Sequence, residues 1–163
     1  MNIRPAAFSD AAQIADIYNF YIRTSHATFE LDQISASEME ARVRETAVSS
    51  YPFYAAEEDG QIAGYAYGRA FRPRAAYKHS IEISVYVREG NEGKGIGQML
   101  YAKMLPDILK GGYHAIIAGI SLPNEASVRL HEKFGFEKVA HFREVGFKFG
   151  RWIDVGYWEL LIS

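Results

Sequence analysis

Apolar and polar side chains alternate along residues 80–87, near the middle of the chain. The odd-numbered positions from Ile81 to Val87 are apolar, and the even-numbered positions between them hold Glu82, Ser84 and Tyr86. A period of two predicts a β-strand with one buried face. Glu82 and Ser84 are therefore expected to share a face of this strand with Tyr86.

A glycine-rich segment follows this strand and leads into a helix predicted to begin near Ile96. Gly93, Gly95 and Gly97 occupy every second position there. Glycines let backbone N–H groups approach an anion, and the N-terminal end of a helix adds a partial positive charge. The segment lacks the Gly-Lys-Ser/Thr of a P-loop and the G-x-G-x-x-G spacing of a dinucleotide site. It therefore indicates either another type of anion-binding loop or an ordinary strand-to-helix turn.

The other periodic segments predict further strands and four helices. The strands are expected at 2–4, 51–57, 61–69 and 114–120 and within 137–143 and 155–161, with a loop at 146–154 between the last two. Asp59-Gly60 predicts a hairpin turn between the second and third strands. The segment 114–120 follows a crossover helix, so it is expected to run parallel to the strand at 80–87. The element order is thus βααβββαβαββ.

Capping residues indicate where the first two helices begin. Asp10 is expected to cap the first helix, with Gln13 completing a capping box. Ser35 and Glu38 have the spacing of a second capping box. Two helices joined by a loop are therefore expected after the first strand.

Proline and glycine mark the limits of the other two helices. Pro106 lies inside the third helical pattern and is expected to kink or end that helix, which Gly111-Gly112 stops in any case. The fourth helix is expected to begin at Pro123-Asn124 and to end at Gly135.

Composition narrows the possible classes of function. The 163 residues suit a single domain, 1–163, with one sizeable core. The net charge of −2 and the pI near 6.2 argue against a protein held on nucleic acid or on a membrane by bulk charge. A hydrophobic content of 48% excludes a largely disordered chain. We therefore expect a folded domain that binds a small ligand.

The chain contains no cysteine. Disulfides, thiolate metal sites and a cysteine acyl-enzyme are therefore impossible, and any acyl transfer must be direct or use another nucleophile. The N-terminal residues include no apolar segment of the roughly 18 residues needed to span a membrane. A cytoplasmic enzyme is the expected class.

The glycine-rich segment resembles the pyrophosphate loop of the GNAT N-acetyltransferase superfamily, whose pattern is Gln/Arg-x-x-Gly-x-Gly/Ala after the fourth strand. Residues 92–97 fit the pattern at Gly95 and Gly97, but Glu92 stands where the family usually has Gln or Arg. Because the loop contacts in that family are mostly backbone N–H groups, Glu92 is expected to point to solvent. The order βααβββαβαββ is also that of the GNAT acyltransferase fold, an α/β (α+β) fold with a mixed, mostly antiparallel central sheet flanked by helices.

Within that superfamily the chain resembles the phosphinothricin and methionine sulfoximine (methionine sulfone) N-acetyltransferases over nearly its whole length. The matching segments are ATFE at 27–30, Arg-Pro-Arg at 72–74 with Tyr77, IEISVYV at 81–87, LPNEASVRLHEKFGF at 122–136 and GFKFGRWIDVGYW at 146–158. The resemblance implies direct transfer of the acetyl group of acetyl-CoA to the α-amino group of a small amino acid or analogue, without a metal. It also implies a homodimer.

The resemblance assigns two residues to catalysis. Glu82 matches the proposed general base, which takes a proton from the substrate ammonium directly or through water. His131 stands where many family members have a tyrosine general acid, so it could protonate the departing thiolate or help relay the amine proton. The alternatives are a strand carboxylate facing solvent for Glu82 and a satisfied packing group for His131.

The resemblance places the cofactor along the alternating strand and the glycine-rich loop. Backbone groups of Val85, Tyr86 and Val87 match the partners of the pantetheine arm and of the acetyl oxygen. Asn124 matches a cofactor-contacting asparagine, although it could serve only as a helix N-cap, and Lys133 is a weaker candidate. The cofactor-binding residues expected in the loop are Gly93, Lys94, Gly95, Ile96, Gly97 and Gln98.

Substrate recognition is expected from residues in three segments. The candidates are Phe29, Glu30, Arg72, Arg74 and Tyr77, together with Glu82 and Ser84 of the strand. Two arginines flanking a proline can hold a carboxylate or phosphinate by paired hydrogen bonds. A solvated basic loop is the alternative reading of the same residues.

Phe149, Gly150 and Trp152 fall on a loop that lies near the active site and the dimer partner in the resembling enzymes. A hairpin turn with aromatic packing is the favoured alternative.

Two other functions also remain open. Acetylation of protein N-termini or lysines would need an open groove, and a non-catalytic acyl-CoA binding module would follow if Glu82 lay far from the thioester or if Glu92 weakened the pyrophosphate site.

Overall fold

A computed structural model describes all 163 residues, and its elements follow the predicted order βααβββαβαββ. The strands are β1 (Asn2–Pro5), β2 (Phe53–Glu58), β3 (Gln61–Ala70), β4 (Ser80–Val87), β5 (Ala115–Ser121), β6 (Glu137–Lys148) and β7 (Arg151–Leu161). The helices are α1 (Ala11–Thr24), α2 (Ala36–Val48), α3 (Ile96–Lys110) and α4 (Glu125–Lys133), with short 3₁₀ turns at Phe8–Asp10 and Ala75–Tyr77.

The strands form one sheet in the order β1-β2-β3-β4-β5-β7-β6. Only β4 and β5 run parallel, and every other neighbouring pair is antiparallel. The parallel pair follows from the crossover through α3. The predicted fold, a mixed and mostly antiparallel sheet flanked by helices, is therefore confirmed.

Helices cover both faces of the sheet. Leu100 and Met104 of α3 pack with Ile81 of β4 in one buried cluster, to which α4 also contributes. Ile14 of α1 packs with Tyr65 of β3 in a second cluster, on the opposite face. Strand alternation turns the polar row of β4 toward the α1–α2 face, which is why Glu82 and Ser84 lie on the same side as Tyr86.

The two parallel strands separate partway along their length. The β4–β5 ladder runs from Ser80 opposite Ala115 to Glu82 opposite Ile117 and goes no further. β4 continues to Val87 without a β5 partner, while β5 stays paired with β7 along its whole length, from Ala115 to Ser121. An opening therefore lies between β4 and β5 beyond Glu82.

The prediction of a loop at 146–154 is wrong, because most of that segment is paired strand. Phe147 lies opposite Trp152 and Lys148 opposite Arg151, so only Phe149-Gly150 remains as the turn of the β6–β7 hairpin. Phe149 and Gly150 have positive φ values of 54° and 72°, as a two-residue hairpin turn requires. The aromatic hairpin turn is thus the reading that the structure supports.

Two predicted helix features differ from the structure. Asp10 does not cap α1, because its carboxylate accepts hydrogen bonds from Arg4 and from Ala7 N instead. Of the two outcomes predicted at Pro106, an end of the helix is wrong, because α3 continues to Lys110, and a kink stays a prediction. Pro106 lies on the exposed face of α3 together with Ala102, whose carbonyl loses its helical donor there and is left to solvent. The predicted stop at Gly111 and the Ser35–Glu38 capping box are both confirmed.

Candidate active site

The separation of β4 and β5 forms a narrow cavity of about 50 Å³, which we call the β4–β5 cavity. Residues 83–86 of β4 and 118–121 of β5 form its walls, and Ala27 and α4 close it. Asn124 and His131 both line it. The fold therefore brings Ser84, Val85 and Tyr86 to one cavity with Asn124 and His131. The predicted residues Glu82, Val87 and Lys133 do not line it.

Backbone N–H groups of β4 alternate in direction between β3 and β5. Arg88 N donates to Ala63 O at 2.8 Å, which defines a hydrogen-bonded pair of the β3–β4 ladder. Tyr86 belongs to the next such pair, so its backbone groups are directed toward β3. Val85 and Val87 direct theirs toward β5, where the ladder has already ended. Of the three predicted backbone contacts, the N–H groups of Val85 and Val87 are thus free to face a ligand, whereas the Val87 carbonyl accepts from Tyr21 Oη at 2.6 Å.

The glycine-rich loop leaves a run of backbone donors without partners. Gly95 is the N-cap of α3 and has a left-handed φ of 77°, a conformation that favours glycine. The first bond of the helix runs from Met99 N to Gly95 O, and the N–H groups of residues 93–98 have no protein acceptor. Consecutive free N–H groups at a helix N-terminus form an anion-binding site. Glu92 is exposed as expected, and its carboxylate accepts from Gly90 N at 2.8 Å.

Two predicted side chains meet beside this loop. Lys133 Nζ, at the end of α4, donates to Gln98 Oε1, in the first turn of α3, at 2.8 Å. A Cβ atom at Gly97 would lie 3.0 Å from Leu130 Cδ2, so α3 and α4 approach closely here. Lys94 Nζ donates to Asn91 Oδ1 at 2.8 Å. Lys94 and Lys133 therefore place positive charge at the entrance to the free N–H groups.

Asn124 is the N-cap of α4. Its Oδ1 accepts a hydrogen bond from Ser127 N at 3.2 Å, and the residue also lines the β4–β5 cavity. The oxygen is used by the helix, while the amide N–H₂ group has no protein partner. The capping role is therefore present, and the amide remains able to donate to a ligand.

His131 is buried, with both ring nitrogens engaged. Nδ1 lies 2.7 Å from Ser127 O and Nε2 lies 2.9 Å from Tyr101 Oη. Because a carbonyl only accepts, Nδ1 carries the proton and Nε2 accepts from the tyrosine hydroxyl. Burial lowers the pKa of His131, which keeps the ring neutral. A neutral, fully engaged imidazole fits the packing alternative better than it fits a general acid.

Glu82 is held in a cross-strand ion pair. Arg69 lies directly opposite on β3, and its Nη2 donates to Glu82 Oε1 at 2.6 Å. The Glu82 side chain is only 14% exposed, so the carboxylate does not stand free in solvent. Its second oxygen, Oε2, has no protein donor. Glu82 therefore keeps one oxygen that can accept a proton.

A second, larger cavity lies on the same face of the sheet, between β3 and α2. This β3–α2 cavity has a volume of about 570 Å³ and is lined by Tyr67 and Arg69 of β3 and by Arg42 of α2. Ser84 lies opposite Tyr67 and Glu82 opposite Arg69, on the same face. The polar row of β4 thus stands between the β3–α2 cavity and the β4–β5 cavity.

The predicted substrate residues divide between the cavity and its surroundings. Glu30 lines the β3–α2 cavity and pairs with Arg42 at 2.7 Å. Phe29 is 40% exposed. Arg72, Arg74 and Tyr77 are exposed in the β3–β4 loop and do not line the cavity, although the loop begins beside Ala70, which does. The Arg72 guanidinium lies 4.6 Å from the Phe71 ring centre.

Known proteins are similar in sequence to this chain over nearly its whole length. The family model of the acetyltransferase (GNAT) domain matches residues 3–156. The chain belongs to the GNAT acetyltransferase family. A phosphinothricin N-acetyltransferase of Streptomyces viridochromogenes is 37% identical, over 98% of this chain and 86% of the relative. An L-methionine sulfoximine/L-methionine sulfone acetyltransferase of Salmonella typhimurium is 34% identical, over 100% of this chain and 95% of the relative.

Solved structures of GNAT proteins superpose closely on this one. A phosphinothricin acetyltransferase from Sinorhizobium meliloti in complex with acetyl-CoA has a TM-score of 0.95 and 32% identity, covering 99% of this chain and 88% of the other. A ribosomal-protein-alanine N-acetyltransferase from Brucella melitensis has a TM-score of 0.97 and 33% identity, covering 99% and 100%. As a GNAT member, the protein is an acetyl-CoA-dependent N-acetyltransferase.

The site fits acetyl-CoA on its own geometry. The free N–H groups of residues 93–98 suit a pyrophosphate, and the opening between β4 and β5 suits an extended chain that pairs with β4.

No group of three or more acidic or histidine side chains could hold a metal ion. None of the helices is both long and apolar enough to cross a bilayer.

Sequence reasoning missed three polar residues of this GNAT site. Arg69 and Arg42 line the β3–α2 cavity, and buried Lys148 donates to Ser25 O at 2.6 Å and to Thr28 O at 2.8 Å, which fastens the α1–α2 segment to β6. Arg69 follows Tyr65 and Tyr67 at a period of two, so the face of β3 on which it lies could have been predicted from the sequence. Its pairing with Glu82 could not, because the β3–β4 register depends on the intervening loop.

Proposed function

We propose that the protein acetylates the α-amino group of a small amino acid or analogue of the phosphinothricin, methionine sulfoximine or methionine sulfone type. The observation that carries this proposal is the position of Glu82. It lies on β4 between the β4–β5 cavity, where the acetyl donor would bind, and the β3–α2 cavity, where the acceptor would bind. An acceptor in the β3–α2 cavity would place its amine beside the carboxylate. Relatives named for those three acceptors support the choice of class.

Acetyl-CoA supplies the acetyl thioester, and the residues of this chain supply the rest. Glu82 Oε2, which has no protein donor, takes the proton from the acceptor ammonium directly or through water. The N–H groups of Val85 and Val87 donate toward the β4–β5 cavity, where they stabilise negative charge on the acetyl oxygen. The chain has no cysteine and therefore forms no cysteine acyl-enzyme, and the deprotonated amine attacks the thioester carbonyl directly.

The cofactor and acceptor roles of the remaining predicted residues belong to the same proposal. The loop 93–98 binds the pyrophosphate through its N–H groups, with Lys94, Gln98 and Lys133 around it and Asn124 donating to the pantetheine arm. His131 supports the cavity wall as a neutral group. Arg72, Arg74 and Tyr77 act from the rim of the β3–α2 cavity, Glu30 acts inside it, and Ser84 acts from the wall of the β4–β5 cavity.

The assay is incubation with acetyl-CoA and each of methionine sulfone, methionine sulfoximine and phosphinothricin, followed by release of coenzyme A thiol. The absence of cysteine makes this readout clean, because the enzyme itself contributes no thiol. Turnover on at least one of the three is expected. Binding of coenzyme A by calorimetry without turnover on any amine in a broad panel would instead indicate an acyl-CoA binding module.

Protein N-terminal acetylation is the second candidate, favoured by the similarity to the Brucella melitensis structure. A lysine acetyltransferase activity falls in the same group. A short peptide with N-terminal alanine and a lysine-containing peptide with a blocked N-terminus serve as acceptors in the same assay. Faster turnover on a peptide than on the three amino acids would favour this candidate over the first.

We also propose a cytoplasmic homodimer, with the β6–β7 hairpin in the interface. Val145, Phe147, Phe149 and Trp152 leave large apolar side chains on this hairpin more than half exposed. Light scattering on the purified protein should give twice the mass of the 18.4 kDa chain. Substitution of Trp152 by Ser should shift the mass toward the monomer, and a monomeric wild-type protein would contradict the proposal.

A further inference from the structure

Two arginines line the β3–α2 cavity, where the acceptor is proposed to bind, and each already contacts a carboxylate. Arg42 pairs with Glu30 and Arg69 pairs with Glu82, and Glu45 is the other charged residue in the lining. The contacts are not equal. Arg42 donates to both oxygens of Glu30, whereas Arg69 uses only Nη2, for one bond to Glu82 Oε1. Arg69 therefore retains most of its donors.

The free donors of Arg69 are accessible from the cavity. Its side chain is 57% exposed although its partner Glu82 is only 14% exposed. A guanidinium presents five N–H groups in a rigid plane, so it can bind one carboxylate along one edge and a second along another. Arg69 is thus able to bind an anion in the cavity without releasing Glu82.

The chemistry of an α-amino acid limits where its carboxylate can bind. The amine and the carboxylate stand on the same carbon, so the group that binds the carboxylate must lie within a few ångströms of the base that serves the amine. Arg69 lies 2.6 Å from the Glu82 carboxylate and satisfies this limit. Arg72 and Arg74 lie on the exposed loop beyond Ala70 and outside the cavity lining.

We infer that Arg69 is the specificity-determining residue that binds the α-carboxylate of the acceptor, an inference that rests on the proposed function. The acceptor lies with its ammonium at Glu82 Oε2 and its carboxylate on the free edge of the Arg69 guanidinium. Its side chain extends between Tyr65 and Tyr67 into the rest of the 570 Å³ cavity. A zwitterion bound in this way leaves both charged residues paired.

The test compares two acceptors that differ only in the carboxylate. They are methionine sulfone and its decarboxylated counterpart, 3-(methylsulfonyl)propylamine, assayed with wild type, Arg69→Gln and Arg69→Lys. Any disturbance of Glu82 affects both acceptors, because both give up a proton to it. The ratio of the two kcat/KM values therefore isolates the carboxylate contact.

Wild type should prefer methionine sulfone, and Arg69→Gln should reduce that preference by about 10- to 100-fold, mainly through KM. Arg69→Lys should restore part of the preference, because it returns the charge without the planar fork. The matched control is Arg44→Gln on the same helix as Arg42. Arg44 pairs with Glu40 at 2.7 Å and does not line the cavity, so the preference should be unchanged.

An unchanged preference in Arg69→Gln, or a wild type that uses both acceptors equally, would overturn the inference while leaving the acetyltransferase assignment intact. Failure of the proposed function appears earlier, as an absence of wild-type turnover on every amino acid tested, and would overturn the inference with it. If Arg69→Gln does not fold, the comparison between wild type and Arg69→Lys decides. Equal preference in those two proteins would then also overturn it.

Discussion

Replacement of Glu82 by Gln tests the central step of the mechanism with little change in shape. Gln keeps an oxygen that can accept from Arg69 but cannot take a proton from an ammonium group. Loss of a general base commonly slows a reaction by about two to four powers of ten. At about 1.4 kcal/mol per power of ten, this corresponds to roughly 3–5 kcal/mol of transition-state stabilisation.

The effect on folding should be much smaller. The Arg69 side chain is 57% exposed, and an ion pair with one partner this exposed contributes at most about 1 kcal/mol after screening by solvent. Glu82→Gln should therefore lower turnover far more than it lowers the free energy of unfolding. Affinity for coenzyme A should stay nearly unchanged, because the loop 93–98 is untouched.

Glu57→Gln is the matched control, because Glu57 accepts from Arg4 Nε at the same 2.6 Å separation, on β2 and outside the β3–α2 and β4–β5 cavities. The two variants should lose similar stability, but only Glu82→Gln should lose activity. Initial rates of thiol release at saturating acetyl-CoA are measured from pH 7 to pH 10. The deficit should shrink as the acceptor amine loses its own proton at high pH. Near-normal turnover of Glu82→Gln at neutral pH would remove Glu82 from the mechanism.

Three further predictions follow from other parts of the site. Arg72→Ala and Arg74→Ala should each raise KM by about tenfold to a hundredfold for phosphinothricin, whose side chain carries a second acidic group, but change KM little for methionine sulfone, whose single carboxylate is assigned to Arg69; equal losses on the two acceptors would mean that these arginines support the fold or the dimer. Gly95→Ala should place about 1–2 kcal/mol of strain on the left-handed N-cap and weaken coenzyme A binding, measured by calorimetry; unchanged affinity would argue against the free N–H groups as the phosphate site. Burial holds the pKa of His131 below its unfolded value of about 6.5, so the unfolded chain binds more protons as pH falls below that value, and the free energy of unfolding in urea should be lower at pH 5.5 than at pH 7. His131→Asn should flatten this dependence, and an equal slope in both proteins would contradict the assignment.

The sequence alone determined the order of the elements and the identity of the family. Period-two alternation along residues 80–87 and the glycines at 93, 95 and 97 are local features, because backbone geometry within a few residues decides them. The Asp59-Gly60 turn and the Ser35 capping box depend only on neighbours in the chain, and both occur as predicted. The α3 crossover, with the strong right-handed preference of such units, was enough to make β5 parallel to β4.

Predictions that failed did so where distant parts of the chain compete for the same group. Asp10 has the position of a helix cap, but Arg4 of β1 takes its carboxylate. Residues 146–154 read as a loop, yet the pairing of Phe147 with Trp152 extends the hairpin almost to its tip. Pro106 breaks the helical hydrogen bonds locally, but the buried side chains of Leu105 and Ile108 hold both sides of it against the sheet.

Only the tertiary structure decided which charged residues meet in the site. Arg69 contacts Glu82 because the β3–β4 register places them opposite each other, and that register is a property of the paired strands rather than of either strand. Arg42 reaches the same cavity from a helix that the sequence places far from β4. The β3–β4 register also directs the N–H groups of Val85 and Val87 toward β5, and they are free because β5, paired with β7 along its length, stays beside β4 only as far as Ile117. Such choices are made between segments that are distant in sequence, so no local pattern records them.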